Sequence, residues 1–587
     1  MKNIVLSVLC MALLSGVGLT AQEDFSKKKS IRSLYMDGVW DKGKIGTLEI
    51  QLETKRIILM ERDSITSTPA YAMASVFRKD PPPAPTETQK KNGYLLFFRN
   101  YLYDVFPFTN PTREEIEKKE IKVIASLGEF EPITFGVYPL IDLKNCKVNI
   151  SEFINEKGDK LSPDSFKLNS VMNWRTVRED KGIVVIRAHV LMEVKDIPRI
   201  DEGISKQIWI NVKVAENAKP GEYKGKVSFA PAGKPASDIP VTVKVLPFKL
   251  MQPPPEVFNW APIMAGTWKF DQLEKEFIFI KEHGMTGEMT DCLGPKYAGD
   301  KLGDDYTNAN KYMEIAKKVG LPGKFVVFNW HCQGGSKYDA VYGPYGRGDA
   351  QFNDSSYRQL TEALTGLKKN ADENKWLPFS VYLTTELGSV SLPEEFQKTM
   401  KKSAEYYAAA RKVKGLNLLA TFNRQEQLKM HWDLPTLDAI GFNGEMFPEW
   451  EAASKKKESW MTFIMSDQRC GYGLYMWKYN FRGCRPWCLS LGDDGDQLAY
   501  FMNNEYHATV RFERIREGVD DYKYMYTMME LVKQAKAKGK DTSAAETLSK
   551  KILEAIPSVH YKFTDFDYMK LDEFRKQMAD QIIKLTN

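Results

Sequence analysis

The sequence predicts a multidomain chain: an N-terminal all-β sandwich over residues 22–250, then a (β/α)8 barrel of the TIM type over 257–539 with C-terminal helices packed on it over 540–587. Three observations predict this. Up to residue 250, apolar and polar residues alternate over strand-length runs. MQPPPE at 251–256 then interrupts the chain with three prolines, which continue neither a ladder nor a helix and read as a stiff linker. Beyond it, short apolar runs alternate with amphipathic Lys/Glu-rich segments, the texture of strand–helix units.

The first 21 residues are expected to be a leader. A short basic start, Met1-Lys2, precedes the apolar run IVLSVLCMALLSGVGL, and cleavage is expected near Ala21-Gln22. An exported protein, periplasmic or secreted, is the expectation. No later stretch is long and apolar enough for a membrane span. The sandwich strands are read at IGTLEIQLETKRIILME, EPITFGVYPLID, IVVIRAHVLMEV and QIWINVKVAE, with Pro220-Gly221 and Pro231–Gly233 turning between later strands.

In the barrel, strands are read at 257–264, 285–290, 324–330, 379–386, 416–423, 437–444, 472–479 and 496–502. Eight units over about 280 residues is the size of a (β/α)8 barrel. An open parallel sheet would satisfy the same pattern. SAAETLSKKILEAI and LDEFRKQMADQIIKL read as the two closing helices.

Composition narrows the function. A formal net charge of +6, from 83 basic and 77 acidic residues, argues against a dedicated nucleic-acid binder. Cysteine spacing shows no CxxC pair and the six histidines no metal spacing, so neither metal nor cofactor is expected. Cys484 and Cys488 could pair, but small buried thiols are the plainer reading. There is no phosphate-binding loop, dinucleotide fingerprint or G-x-S-x-G elbow. Carboxylate chemistry remains.

Barrel sites sit at the C-terminal ends of strands. These ends deliver Trp260, Glu288, Asp291, Asn329, Trp330, Thr385, Glu386, Asn443, Glu445, Trp477 and, just beyond, Arg485 and Trp487. Nine of the twelve tryptophans follow residue 256, and flat apolar rings beside amides and carboxylates suit the faces and hydroxyls of sugars. For any one tryptophan, capping the barrel core is an equal reading. Glu386, ending FSVYLTTE, fits a general acid: a strand end fixes it, and burial among aromatics would keep it protonated. A salt-bridged structural carboxylate fits the same spacing. Glu445 is the first choice for a second catalytic carboxylate, with Glu288 and Asp291 behind it. Trp260, Trp330, Trp477 and Trp487 would be sugar platforms, and Asn329 and Asn443 would bind hydroxyls. A hydrolase requires its second carboxylate about 5–5.5 Å from the first for retention, or about 6.5–9.5 Å for inversion.

The stretch FRGCRPWCLSLGDDGDQLAYF…RFERIREGVDDYKYMYTM (481–528) resembles the end of the barrel in glycoside hydrolase family 123 and its relatives. GEFEPITFGVYPL (128–140) and WINVKVAENAKPGEYKGKV (209–227) are similar to that family's N-terminal domain. The resemblance covers nearly the whole chain after the leader. It implies an exported enzyme related to β-N-acetylgalactosaminidases, acting on a glycan without a cofactor. It also implies a catalytic Asp-Glu pair, with the Glu as acid/base and the Asp orienting the substrate's 2-acetamido group as the nucleophile. Glu386 matches the Glu; Thr385 stands where the Asp is expected. A carbohydrate-binding protein that has lost catalysis is the alternative this departure raises. Within REGVDDYKYMY (516–526) and the residues before it, Arg511, Arg514, Glu517 and Asp521 are spaced for ion pairs along a helix, so the segment reads as structural.

Overall fold

The computed structural model describes residues 82–106, 109–178, 183–264, 269–290, 294–295, 297–298, 301–328, 354–384, 393–422, 435–442, 454–461, 468–490, 497–557 and 566–586. The expected leader and the first expected strand, IGTLEIQLETKRIILME, lie outside the described residues.

The N-terminal part places two mostly antiparallel sheets about one core. The first has the order β1 (Tyr94–Phe97), β3 (Phe130–Pro139), β10 (Lys206–Lys213), β7 (Phe166–Arg178), β8 (Ile183–Glu193). The second runs β2 (Ile121–Leu127), β12 (Ser237–Lys249), β11 (Gly221–Ala230), β4 (Leu143–Ile150), β9 (Asp196–Ile200), with β5 (Phe153–Ile154) and β6 (Lys160–Leu161) beside β11. β2 and β12 run parallel. The period-two patterning explains the packing. Ile133, Phe135, Ile208 and Ile210 of the first sheet meet Tyr223, Val227, Val241 and Val243 of the second in a single buried cluster. Two short helices, α1 (Glu87–Asn92) and α2 (Arg113–Glu117), begin on complete capping boxes at Thr86 and Thr112.

The second part holds eight parallel strands, each beside the next in the chain: β13 (Asn259–Trp260), β14 (Met289–Thr290), β17 (Phe325–Phe328), β18 (Phe379–Thr384), β19 (Asn417–Phe422), β20 (Ala439–Phe442), β21 (Glu458–Met461) and β22 (Gly483–Cys484). β22 pairs with β13, and β13's continuation bridges β14 at Ile263–Met289, so the two ends of the order meet. Helices α3 (Phe270–Glu282), α4 (Thr307–Val319), α5 (Asp354–Glu373), α6 (Pro393–Arg411), α7 (Gln468–Tyr472) and α8 (Leu474–Lys478) lie between strands. The hairpin β15 (Tyr297–Ala298)–β16 (Lys301–Leu302) precedes α4. After β22 come the hairpin β23 (Ala499–Met502)–β24 (Glu505–Ala508) and α9 (Val510–Ala537), α10 (Ser543–Ala555) and α11 (Met569–Thr586).

Two strand expectations are corrected. The run at 472–479 is not the seventh strand: Leu474–Lys478 is helical, with Leu474, Tyr475 and Met476 buried. A short apolar run buried all round looks alike as helix and as strand. The seventh strand is ESWM, hidden behind Lys455–Lys457. The run at 496–502 is not the eighth strand either, since β23 pairs antiparallel with β24 alone and the eighth place is taken by Gly483–Cys484.

The two parts meet across a buried ionic seam on α9. Arg469 Nε donates to Asp521 Oδ2 at 2.7 Å, and Arg575 Nε from α11 donates to Asp521 Oδ1 at 2.7 Å. Arg575 Nη1 also reaches Glu517 Oε2 at 2.8 Å and pairs with Glu131 of β3. Tyr524 donates to Glu129 at 2.8 Å, Asn211 of β10 to Glu513 at 3.2 Å, and Arg514 to Asp104 at 2.6 Å. The acids of REGVDDYKYMY are thus structural, but Arg514, Glu517 and Asp521 bind other elements rather than pairing along their own helix. Gly518 lets the backbones close in: a Cβ there would lie 2.4 Å from the Arg469 carbonyl oxygen.

Candidate functional site

Side chains alternate along the eight strands. Val326, Tyr382, Leu419, Ala439 and Trp460 turn inward with Ala261, Ile263, Met289 and Cys488, whereas Val327, Val381, Leu418 and Ile440 face the helices. The N-terminal end of the interior is polar and filled. Lys324 Nζ meets Glu458 Oε1 at 2.9 Å, Trp460 Nε1 donates to that same oxygen at 2.6 Å, and Ser380 Oγ donates to Asn417 Oδ1 at 2.7 Å.

Toward the C-terminal ends the interior carries a cation. Arg485, fully buried just past β22, lies over the Tyr382 ring at 4.3 Å and donates to Met289 Sδ at 3.4 Å. The Tyr382 hydroxyl bonds the Thr421 hydroxyl of β19. Gly441 of β20 is required here, because a Cβ would fall 2.1 Å from Thr421 Cγ2 and 3.3 Å from Arg485 Nη2. Tyr382, Thr421 and Gly441 escaped the sequence reading of the site. Their only signal was an inward phase on strands already recognised.

β18, the strand leading to Thr385 and Glu386, carries a bulge. Tyr382 pairs with Leu419 and Thr384 with Ala420, so two residues of β18 oppose one step of β19. Bulges re-aim the chain and are enriched beside active sites. Thr384, the last residue of the strand, meets the Tyr407 hydroxyl of α6 at 2.6 Å. Burial pushes the Tyr407 phenol above its ordinary value.

Of the residues expected at the site, Thr385, Glu386, Glu445, Asp291, Asn329, Trp330 and Asn443 lie outside the described residues. Trp487 is half-buried against the inward cluster. The other expectations are corrected. Trp260 is 0% exposed, donates from Nε1 to the Tyr472 carbonyl at 3.3 Å and packs on Phe258 and Tyr522, leaving no face for a sugar. Trp477 sits on α8, not at a strand end, with its ring against Tyr522 and Tyr526 in the helical layer. Glu288 is fully buried and turns outward, taking a hydrogen bond from Tyr312 of α4. Burial, then the charge of Glu276, holds its carboxyl well above the usual range. Cys484 and Cys488 are both buried and are not joined by a disulfide. Among the described residues no group of three or more His, Cys, Asp or Glu is placed to hold a metal, and no helix is long and apolar enough to cross a membrane.

Fold and site together define a class: a two-part chain in which paired β-sheets abut eight parallel strands interleaved with helices, resembling glycoside hydrolases in architecture. Residues 137–230 match the glycoside hydrolase 123 N-terminal domain. The described fold is similar to that of a family 123 glycoside hydrolase from Clostridium perfringens, studied for glycolipid glycan hydrolysis. That match has a TM-score of 0.61 and 13% identity, covering 84% of this chain and 100% of that one. The resemblance to family 123 thus appears both in a domain match and in a shared fold. A family 5 xyloglucanase from Bacteroides ovatus aligns at 11% identity over 68% of this chain and 98% of that one, with a TM-score of 0.30, too loose to support an argument. No curated protein matches the chain in sequence.

Proposed function

We propose that this protein is an exported glycoside hydrolase that cleaves O-glycosidic bonds of glycan chains by carboxylate acid/base catalysis. In this reading the eight parallel strands form a (β/α)8 barrel behind an N-terminal β-sandwich. The observation that carries it is the presence, in one chain, of a family 123 N-terminal domain match and a fold shared with a family 123 enzyme along that enzyme's whole length.

Glu386 is the general acid/base; in sequence it follows by two residues Thr384, the last residue of the bulged β18. Glu445 is the second carboxylate, with Asp291 as the other candidate, and the outward-facing Glu288 leaves that list. Trp487 and Trp330 are sugar platforms, and Asn329 and Asn443 bind hydroxyls. The test is a screen of the purified protein against a panel of host and plant glycans, followed by Glu386→Gln on the substrate found. The variant is expected to fold and to lose about 10²–10⁴ in rate on substrates with poor leaving groups. Near-wild-type turnover would remove Glu386 from the role.

Thr385 favours a second reading. If the missing Asp has cost the protein its chemistry, the chain binds carbohydrate without turnover. Saturable glycan binding with no product from any member of the panel would select that reading.

A further inference from the structure

Glu276 of α3 and Glu288, which immediately precedes β14, are 2% and 0% exposed. The Tyr506 hydroxyl of β24 donates to Glu276 Oε2, and the Tyr312 hydroxyl of α4 donates to Glu288 Oε2. Each Oε1 lacks a donor among the described residues, while the two carboxyl groups lie within hydrogen-bonding reach of each other. Ionised carboxylates only accept, so this contact is a bond only when one of them carries a proton.

The charged groups on the surrounding elements are engaged elsewhere. On α3, Lys275 donates to the Asn504 carbonyl at 2.9 Å, Glu274 pairs with Lys318 at 2.7 Å, Glu282 pairs with Lys213 at 3.0 Å and His283 meets Glu513 at 3.3 Å. Asp271 of α3 adds negative charge near Tyr506. On α4, Lys311 sits over the Phe270 ring at 4.4 Å and Lys317 reaches the Asn374 carbonyl at 3.1 Å. Beside β14, Lys324 belongs to Glu458. On α9, Glu513 pairs with Arg516. On β24, Glu505 is exposed and His507 is half-buried.

We propose that Glu276 and Glu288 share a proton and that the pair is a pH-operated latch, fastening α3 and the β23–β24 hairpin to the start of β14 and opening as the proton leaves. β14 ends one residue before Asp291, so the latch is continuous in sequence with the rim of the proposed site. The proposal does not depend on the glycosidase reading.

The sign follows from linkage. Burial pushes Glu276 up to about 7 and Glu288 well above the carboxylate range. The folded chain therefore holds protons that the unfolded chain has already released. The stability from the latch is fully present below about pH 4.5, falls as pH rises through about 7, and falls further as the remaining proton leaves.

Hydrogen exchange of the full chain from pH 5 to 9, corrected for intrinsic exchange, tests this. In the wild type, the opening constant for amides of α3, β14 and β23–β24 is expected to rise by up to about tenfold per pH unit for each proton held. In Glu276→Gln one of the two titratable groups is gone and only the buried Glu288 still titrates, so the dependence is expected to shrink by up to about tenfold per pH unit. An unchanged pH dependence in that variant would overturn the latch. If the variant fails to fold, the wild type decides: a rise confined to these elements supports the proposal, and a rise shared equally by β11 and β12 overturns it.

Discussion

In the proposed reading, Thr385 takes the place where the family resemblance implies an anion. Substrate assistance sets a negative charge against the acetamido nitrogen, an interaction that strengthens as positive charge develops. A threonine supplies a hydroxyl and a smaller space, which suits a plain 2-hydroxyl better than a 2-acetamido group. A thiazoline mimic of the cyclised intermediate is therefore expected to inhibit weakly or not at all, and chromogenic N-acetylhexosaminides are expected to release no product. Inhibition and product-release assays check both, and tight thiazoline binding with efficient N-acetylgalactosaminide hydrolysis would restore the usual chemistry. Gly441 permits a test inside the described interior. The Cβ of Gly441→Ala would overlap Thr421 Cγ2, and overpacking of this kind costs about 1–3 kcal/mol. Denaturant unfolding should show that loss, and Thr421→Ser, which removes the offending methyl, should recover most of it.

At the scale of elements, α9 is the member on which both parts depend. Arg575→Ala removes the cation facing Glu129, Glu131, Glu517 and Asp521, and leaving buried charges uncompensated costs about 3–5 kcal/mol. Burial pushes Glu129 up to about 7 even though the Arg575 charge beside it lowers its proton affinity. Without the arginine the folded variant holds more protons than the wild type, so the deficit in unfolding free energy should widen as pH rises from 5 to 8. A pH-independent deficit would count against the seam. The extent to which such elements were legible differs for physical reasons. β17, β18, β19 and β20 were readable because β-branched and aromatic residues filled uninterrupted runs of strand length. β21 and β22 were not, since four residues behind lysines and a Gly-Cys pair have too little periodicity to register. Burial of Trp260 and the outward turn of Glu288 were invisible for another reason: a residue near a strand end has the same spacing whether it faces the interior or the helices.

For the whole molecule, the seam predicts the fate of a separated second part. A fragment starting at residue 256 would expose Val510, packed beside Trp209 and Leu191, and Tyr500 and Met502, packed on Val190. It would also uncover Glu513 and Glu517, whose partners include Asn211 and Tyr101. Such a fragment is expected to aggregate on expression, and co-expression with residues 22–250 should restore solubility. Gel filtration of the two preparations checks this, and a soluble, monomeric, active fragment would show the N-terminal part to be dispensable.

Arg575 also sets an order of events. Every acid it neutralises precedes it in the chain, Glu131 by 444 positions. A ribosome makes the N-terminal part first, and that part can collapse on its own core while the rest is still being made. Its β3 then presents Glu131 with no guanidinium from Arg575 to meet it until α11 has been synthesised, although α9 already offers contacts to the N-terminal part through Glu513, Arg514 and Tyr524. The chain thus carries a late-arriving fastener: a protein cut short before α11 would leave Glu129, Glu131, Glu517 and Asp521 without the Arg575 cation, a standing excess of buried acid.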